Sequence, residues 1–368
     1  MENKVRHVLG ISGGKDSAAL AIYLKDKYPQ LDIEYYFCDT GKELEETYTV
    51  IKNLEVYLGK KIEILKAADG SHESPFDHFI KFKGKFLPST FNRWCTKNLK
   101  LDPFERWIGN DLVVSYVGIR GDEDREGYIS TKKNIQSIFP FRKNIWSEDV
   151  ISKVLKNENI PFLISKYQDQ LDETQIARAL EIVSEPISIK FSQTDKLNAL
   201  LDNNTIVFNA VVFSYLSTTD YSLSKEKEFP LVNNEDVLVR DDIFGILRSS
   251  GVGVPKYYEK VEFEVNGQKG EYSRSRSGCF FCFYQQKIEW VWLYEQHPEL
   301  FQIAMDYEKD GYTWIQNEPL TDLIKPERVE KIKQEYLKRS ALRGQSKSPY
   351  LLDILDDAET EGCAACFI

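Results

Sequence analysis

The chain of 368 residues has no apolar run approaching the roughly 20 residues that a membrane span needs, so no membrane partner is expected. It has little cysteine: six in all, at Cys38, Cys95, Cys279, Cys282, Cys363 and Cys366. That is too few for a disulfide framework in so long a chain. Its four histidines, His7, His72, His78 and His297, show no metal spacing and read as structural. No internal repeat or low-complexity tract is present. No Gly-x-x-x-x-Gly-Lys-Ser/Thr loop occurs, which excludes a Walker A site. The first residues, Met1-Glu-Asn-Lys-Val5, run straight into a strand-like stretch and show no signal peptide, so a cytoplasmic protein with free thiols is expected.

The net charge of −10 argues against indiscriminate nucleic-acid binding, but the charge is unevenly spread. Residues 81–106 carry seven Lys/Arg against two acids, and residues 323–347 eight against three. Residues 162–247 carry seven against fourteen, and 348–368 five acids and no base. The two basic stretches are candidates for a phosphorylated ligand or DNA; solvated helix faces are the alternative.

Strand-like runs at 5–11, 33–38, 62–65 and 113–118 alternate with helical stretches such as 18–24 and 45–58. This pattern predicts an α/β fold with a parallel sheet covered by helices on both faces. The expected organisation is a nucleotide-binding domain over 1–161, an acidic, mainly helical insertion over 162–247, a cysteine-pair and helical region over 248–347, and a tail over 348–368. Ligands of such sheets sit beyond the carboxyl ends of the strands, which places Ser12–Ser17, Asp39–Gly41 and Gly118–Arg120 on one rim.

The strongest chemical signal is Ser12-Gly13-Gly14-Lys15-Asp16-Ser17, set between a strand and a helix. The glycines let backbone N–H groups approach an anion, the helix start favours negative charge, and Lys15 adds a cation. Asp16 would repel a bare phosphate, so a bridging Mg2+ is expected. Cys279-Phe-Phe-Cys282 has the spacing that turns two thiolates toward one metal; a spare dithiol is the alternative. Cys38 ends an apolar strand and reads as core. Cys363-Ala-Ala-Cys366 suits thiol exchange or persulfide delivery. Arg93, Lys97, Lys100, Arg120 and Arg125 are candidate phosphate partners, Arg120 foremost because its strand ends on the rim.

The loop resembles that of the PP-loop ATP pyrophosphatases, specifically their phosphoadenosine phosphosulfate (PAPS) reductase-like branch. Asp39-Thr40-Gly41-Lys-Glu43, Arg93-Trp-Cys95-Thr and Gly118-Ile-Arg120-Gly-Asp-Glu123 resemble three further motifs of that branch. The resemblance covers roughly 5–160 and 250–310. It implies a Rossmann-like fold of the HUP, or adenine nucleotide alpha hydrolase-like, type. It implies ATP, or a sulfonucleotide (APS or PAPS), held by Ser12, Gly13, Gly14, Lys15, Asp16, Ser17, Asp39, Thr40, Gly41 and Gly118. Lys15, Asp16, Arg120, Cys363 and Cys366 are then the candidate catalytic residues, and Cys95, Cys279 and Cys282 three ligands of a [4Fe–4S] cluster. The chain also resembles Dnd-type DNA phosphorothioation proteins. The expectation is an ATP-dependent sulfur transferase that adenylates a substrate and receives sulfur from a donor such as a cysteine desulfurase. A sulfonucleotide reductase and a non-catalytic nucleotide-binding subunit of a bacterial defence system are the alternatives.

Overall fold

A computed structural model of the chain describes residues 4–123, 130, 132–171, 176–309 and 311–345. Five strands, β1 (Arg6–Gly10), β2 (Ile33–Asp39), β3 (Ile62–Lys66), β4 (Val113–Tyr116) and β5 (Ile135–Ile138), form one sheet in the order β3-β2-β1-β4-β5. β4 lies parallel to both neighbours, with Val8 opposite Ser115 and Ser115 opposite Ser137. β4 is buried at all four positions and β2 at six of seven, the pattern of strands covered on both faces. Helix α1 (Lys15–Lys27) follows β1, α2 (Glu45–Leu58) follows β2, and α3 (Pro75–Phe82) comes after β3. The architecture is α/β and Rossmann-like. Among the described residues, no helix is long and apolar enough to cross a membrane.

The chain divides into two compact units: one comprises the described residues up to 10, 19–35 and 108–246, the other 11–18, 36–107 and those from 247 on. In the first, the acidic stretch is helical, with helices Ile160–Gln170, Ile176–Ser184 and Gln193–Leu216. Several of its buried polar side chains are matched by specific partners. Trp146 Nε1 donates to Asn209 Oδ1 at 2.8 Å, and the buried Lys196 ammonium donates to the carbonyls of Val183 and Glu185 at 2.7 and 2.6 Å. Asn234, also buried, accepts from the hydroxyls of Tyr23 and Tyr28 and donates to Pro140 O.

The second unit is built on an aromatic core. Phe281 stacks on Trp314 at 4.7 Å, and Phe76, Trp94 and Trp290 belong to the same cluster. The indole N–H groups of Trp94 and Trp314 find the carbonyls of Phe86 and Ala304. A hairpin of β6 (Val261–Val265) and β7 (Gln268–Tyr272) turns on Asn266-Gly267, both at positive φ (51° and 72°). That is the two-residue turn chemistry whose twist matches paired strands. Neither this hairpin nor β5 is among the strands expected from the sequence, although Asn-Gly is itself a hairpin signal.

Replacing Asn234 with Ala removes the donor to the Pro140 carbonyl and the acceptor of the buried Tyr28 phenol, whereas the Tyr23 phenol keeps Asp236. Loss of about 2–3 kcal/mol in urea unfolding is expected, and a loss below about 0.5 kcal/mol would contradict this account of the interior.

Candidate active site around the glycine loop

Ser12–Ser17, Asp39–Gly41, Cys95, Cys279 and Cys282 all fall in the second unit. The loop is tightly covered. A Cβ at Gly13, which has φ 72°, would collide with the side chain of Thr47 from α2. A Cβ at Gly14 would come within 2.5 Å of Ser277 Oγ. Both positions therefore require glycine for lack of space, and Gly13 for its backbone as well. The Ser12 and Ser17 hydroxyls lie 3.1 Å apart, the Ser12 N–H donates to Ser17 Oγ, and the Gly14 N–H donates to Ser12 Oγ.

The cover comes from residues 257–277. The Tyr257 hydroxyl donates to Gly13 O at 2.8 Å, the Lys15 N–H to the Tyr258 hydroxyl at 3.4 Å, and Ser277 Oγ lies 3.3 Å from Ser12 Oγ. Lys15 is only 4 % exposed. Its ammonium lies 3.4 Å from Asp16 Oδ2, donates to Ser275 O at 3.4 Å and sits 5.1 Å from the centre of the Tyr258 ring. The buried Glu289 carboxylate fixes the cover by accepting from the Ser275 N–H and hydroxyl and the Gln286 N–H at 2.6–2.8 Å.

Arg274 adds a second buried cation. It is 1 % exposed, and its guanidinium lies 5.8 Å from the Tyr257 ring. Nη2 donates to Cys279 O at 3.1 Å, while Nε and Nη1 have no hydrogen-bond partner among the described residues. A buried guanidinium left short of acceptors favours an anion nearby.

A second constellation lies where β2 ends. Asp39 Oδ1 accepts from the Gly41 N–H at 2.8 Å and the Tyr48 hydroxyl at 2.9 Å. Glu43 accepts from the Thr40 hydroxyl at 2.7 Å and the Lys42 N–H at 3.1 Å. Thr40 Oγ1 is 3.1 Å from Cys279 Sγ, and the Phe280 N–H donates to Lys42 O, pinning the two segments together. Burial, then the Asp39 charge, pushes the Glu43 carboxyl up to about 7, against the pull of Thr40, Lys100 and the Lys42 N–H. Burial, with the Glu43 charge, also holds the Cys279 thiol well above its ordinary range. Burial raises Cys38 to about 12, in keeping with a core role.

Cys95 and Cys279 pack against the same aromatic core, and Cys282 closes the turn after Cys279. Among the described residues, no three His, Cys, Asp or Glu side chains come together as a metal-holding group. Among the described residues, Cys95, Cys279 and Cys282 therefore do not by themselves form a complete cluster ligand set. Magnesium makes a different demand: it keeps several waters and takes one or two carboxylates with substrate phosphates. Cys363, Cys366 and Arg125 lie outside the described residues.

Gly118 and Arg120 belong to the first unit. Arg120 is buried and paired at 2.8 Å with both Asp122 and Glu123 of its own turn, so acids of the Gly118–Glu123 motif meet its charge. Of the other expected phosphate partners, Arg93 and Lys97 are exposed, and Arg93 lies 5.3 Å from the Tyr284 ring.

Residues 6–165 match the family model of the phosphoadenosine phosphosulfate reductase domain. The chain carries a PAPS reductase-like domain. Two uncharacterized proteins of Methanocaldococcus jannaschii are similar to it. One is 32% identical over 165 residues, 42% of this chain and 32% of the relative. The other is 27% identical over 159 residues, 40% of this chain and 36% of the relative. The chain thus spans only about a third of the length of these relatives.

The PAPS reductase-like domain includes the loop, Asp39–Glu43, Cys95 and Arg120, but not the cover at 257–277 or the Cys279–Cys282 turn. Sequence reasoning assigned no role to Tyr257, Tyr258, Arg274, Ser275 or Ser277, whose only signal was a polar Ser/Arg run before Gly278. It quoted Glu43 as part of a motif without giving it chemistry. That chemistry is measurable. Folded, Glu43 keeps its proton up to about pH 7; unfolded, it loses it above about 4.5. Between those values the folded state binds more protons, so Glu43 makes stability fall as pH rises. Glu43→Gln should flatten that fall in urea midpoints measured across the window; an unchanged slope would show that Glu43 ionises normally.

Proposed function

We propose that the chain is an ATP-dependent sulfur transferase whose PP-loop, Ser12–Ser17, holds the phosphates of MgATP. The observation that carries this reading is the loop itself: two glycines with no room for a side chain, at the start of α1, next to a buried ammonium. Its N–H groups at Ser12, Gly14 and Lys15, held here by the Ser17, Ser12 and Tyr258 hydroxyls that phosphate oxygens would displace, and the helix start supply positive ends, and Lys15 supplies full charge. Asp16, which weakens a site for a bare anion, acquires a purpose with magnesium, held by Asp16 and Asp39 together with the phosphates. When bound, the ion neutralises charge on the phosphates.

The reaction is nucleophilic displacement at the α-phosphorus. A substrate oxygen forms a bond to it, the bond to the β-phosphate oxygen breaks, and pyrophosphate leaves. A sulfur nucleophile at the sulfide level then attacks the adenylated centre and AMP leaves with its oxygen. Such transfers depend chiefly on positioning and charge neutralisation. Glu43, poised near neutrality beside Thr40 and Cys279, is suited to exchange a proton at physiological pH.

No step is assigned to an iron–sulfur cluster. Iron and acid-labile sulfide after anaerobic purification test that assignment. Substoichiometric iron is expected; about four irons per chain, lowered by Cys95→Ala, would require the cluster to be written into the reaction.

The name of the matched domain favours a second reading, in which the loop holds a sulfonucleotide and a thiolate attacks its sulfur, releasing sulfite. Calorimetric titration separates the two. Magnesium-dependent binding of ATP tighter than that of adenylyl sulfate, lost in Gly13→Ala and weakened at least about tenfold in Lys15→Ala, is expected. Tighter, magnesium-independent binding of adenylyl sulfate would replace the first reading with the second.

A further inference from the structure

The second unit contains a groove of about 1100 Å3 that the nucleotide reading does not use. Its walls come from both basic stretches of the sequence. Phe91 belongs to 81–106, and Tyr336 and Arg339 belong to 323–347, on the helix Pro326–Gln345; Arg276, Tyr284 and Tyr312 lie between them in the chain. Folding thus brings to one cavity two cationic segments that are more than two hundred residues apart.

The lining combines the rings of Phe91, Tyr284, Tyr312 and Tyr336 with the cations Arg276, Lys287 and Arg339. Phe91 is 94 % exposed and Tyr312 40 %, an arrangement that costs hydration and asks for a ligand face. The guanidiniums of Arg93 and Arg276 lie 5.3 and 5.7 Å from the Tyr284 ring centre, which holds two positive charges at one aromatic side chain. Arg339 is exposed on the opposite stretch, and Glu335 is the one acidic side chain in the lining. Another lining cation, Lys287, is neutralised by Glu318 at 2.5 Å.

From these features we infer that the groove binds single-stranded nucleic acid. Rings offer stacking platforms to bases, and arginines between them meet the phosphates that separate those bases. A duplex hides its base faces, so the exposed rings would have nothing to stack on. A mononucleotide fills less than this volume, which exceeds the roughly 300–1,000 Å3 of ordinary small-ligand pockets. The inference goes beyond the reading above, for which it would supply the class of substrate, and strand binding itself does not depend on the loop's chemistry.

Fluorescence anisotropy with the full chain and labelled 12-nucleotide DNA and RNA strands tests it, with duplex DNA of the same length as comparison. Strands should bind more tightly than duplex, with affinity that falls as salt rises. Phe91→Ala and Arg339→Glu should each weaken strand binding about tenfold. Both side chains are exposed, so the variants should keep the wild-type melting temperature. MgATP binding should be unchanged in Phe91→Ala, which separates failure of the groove from failure of the loop. Equal affinity for duplex, unchanged strand affinity in both variants, or no strand binding at low salt would overturn the inference. Preference for DNA or for RNA identifies the source of the strand, and either supports it.

Discussion

A buried ammonium next to two crowded glycines is the constraint on which the site depends. Lys15 is nearly inaccessible in the folded chain, yet its charge must be met. Asp16, Ser275 O and the Tyr258 ring meet it, and each is held in turn: Tyr257 anchors to Gly13, and Glu289 fixes Ser275. The loop and its cover therefore define one another, although some 240 residues of chain separate them. An incoming phosphate would find N–H groups and cations already oriented, which lowers the reorganisation that binding and reaction require.

The same logic explains the acids beside the loop. Asp39 accepts from an N–H and a phenol, whereas burial and the neighbouring Asp39 charge push the Glu43 carboxyl up to about 7. Its surroundings thus bring Glu43 into the range that acid–base chemistry uses. Thr40 links this pair to the Cys279 thiol, which burial keeps protonated. The site joins the glycine loop with its buried ammonium, a near-neutral acid and sulfur within one compact unit.

Much of the architecture was legible in the sequence, because alternation of apolar strands with helical periodicity leaves few options. β1 to β4, the glycine loop and the acidic helical stretch fall where the pattern puts them. β5 was not read: Ile135–Ile138 is short, and its burial comes from neighbours remote in sequence. The loop stood out in the sequence because glycine, lysine and aspartate have local chemistry. The cover was not, because Tyr257, Arg274 and Ser277 gain meaning only from what folding sets against them. Arg120 shows the converse: its place after a strand marked it for phosphate, but Asp122 and Glu123 supply counter-charges that position in the chain alone could not weigh. The three cysteines match a ligand pattern in sequence, yet a pattern of spacing does not by itself close a coordination shell.

The central claim concerns which bond of the nucleotide breaks. Incubating the purified chain with ATP labelled at the α-phosphate, magnesium, a single-stranded oligonucleotide and a sulfide donor, and separating the labelled products, tests it directly. The account predicts AMP as the labelled product, an equal amount of pyrophosphate, and loss of both in Gly13→Ala. Labelled ADP with free phosphate, or no turnover of ATP alongside release of sulfite from adenylyl sulfate, would contradict it.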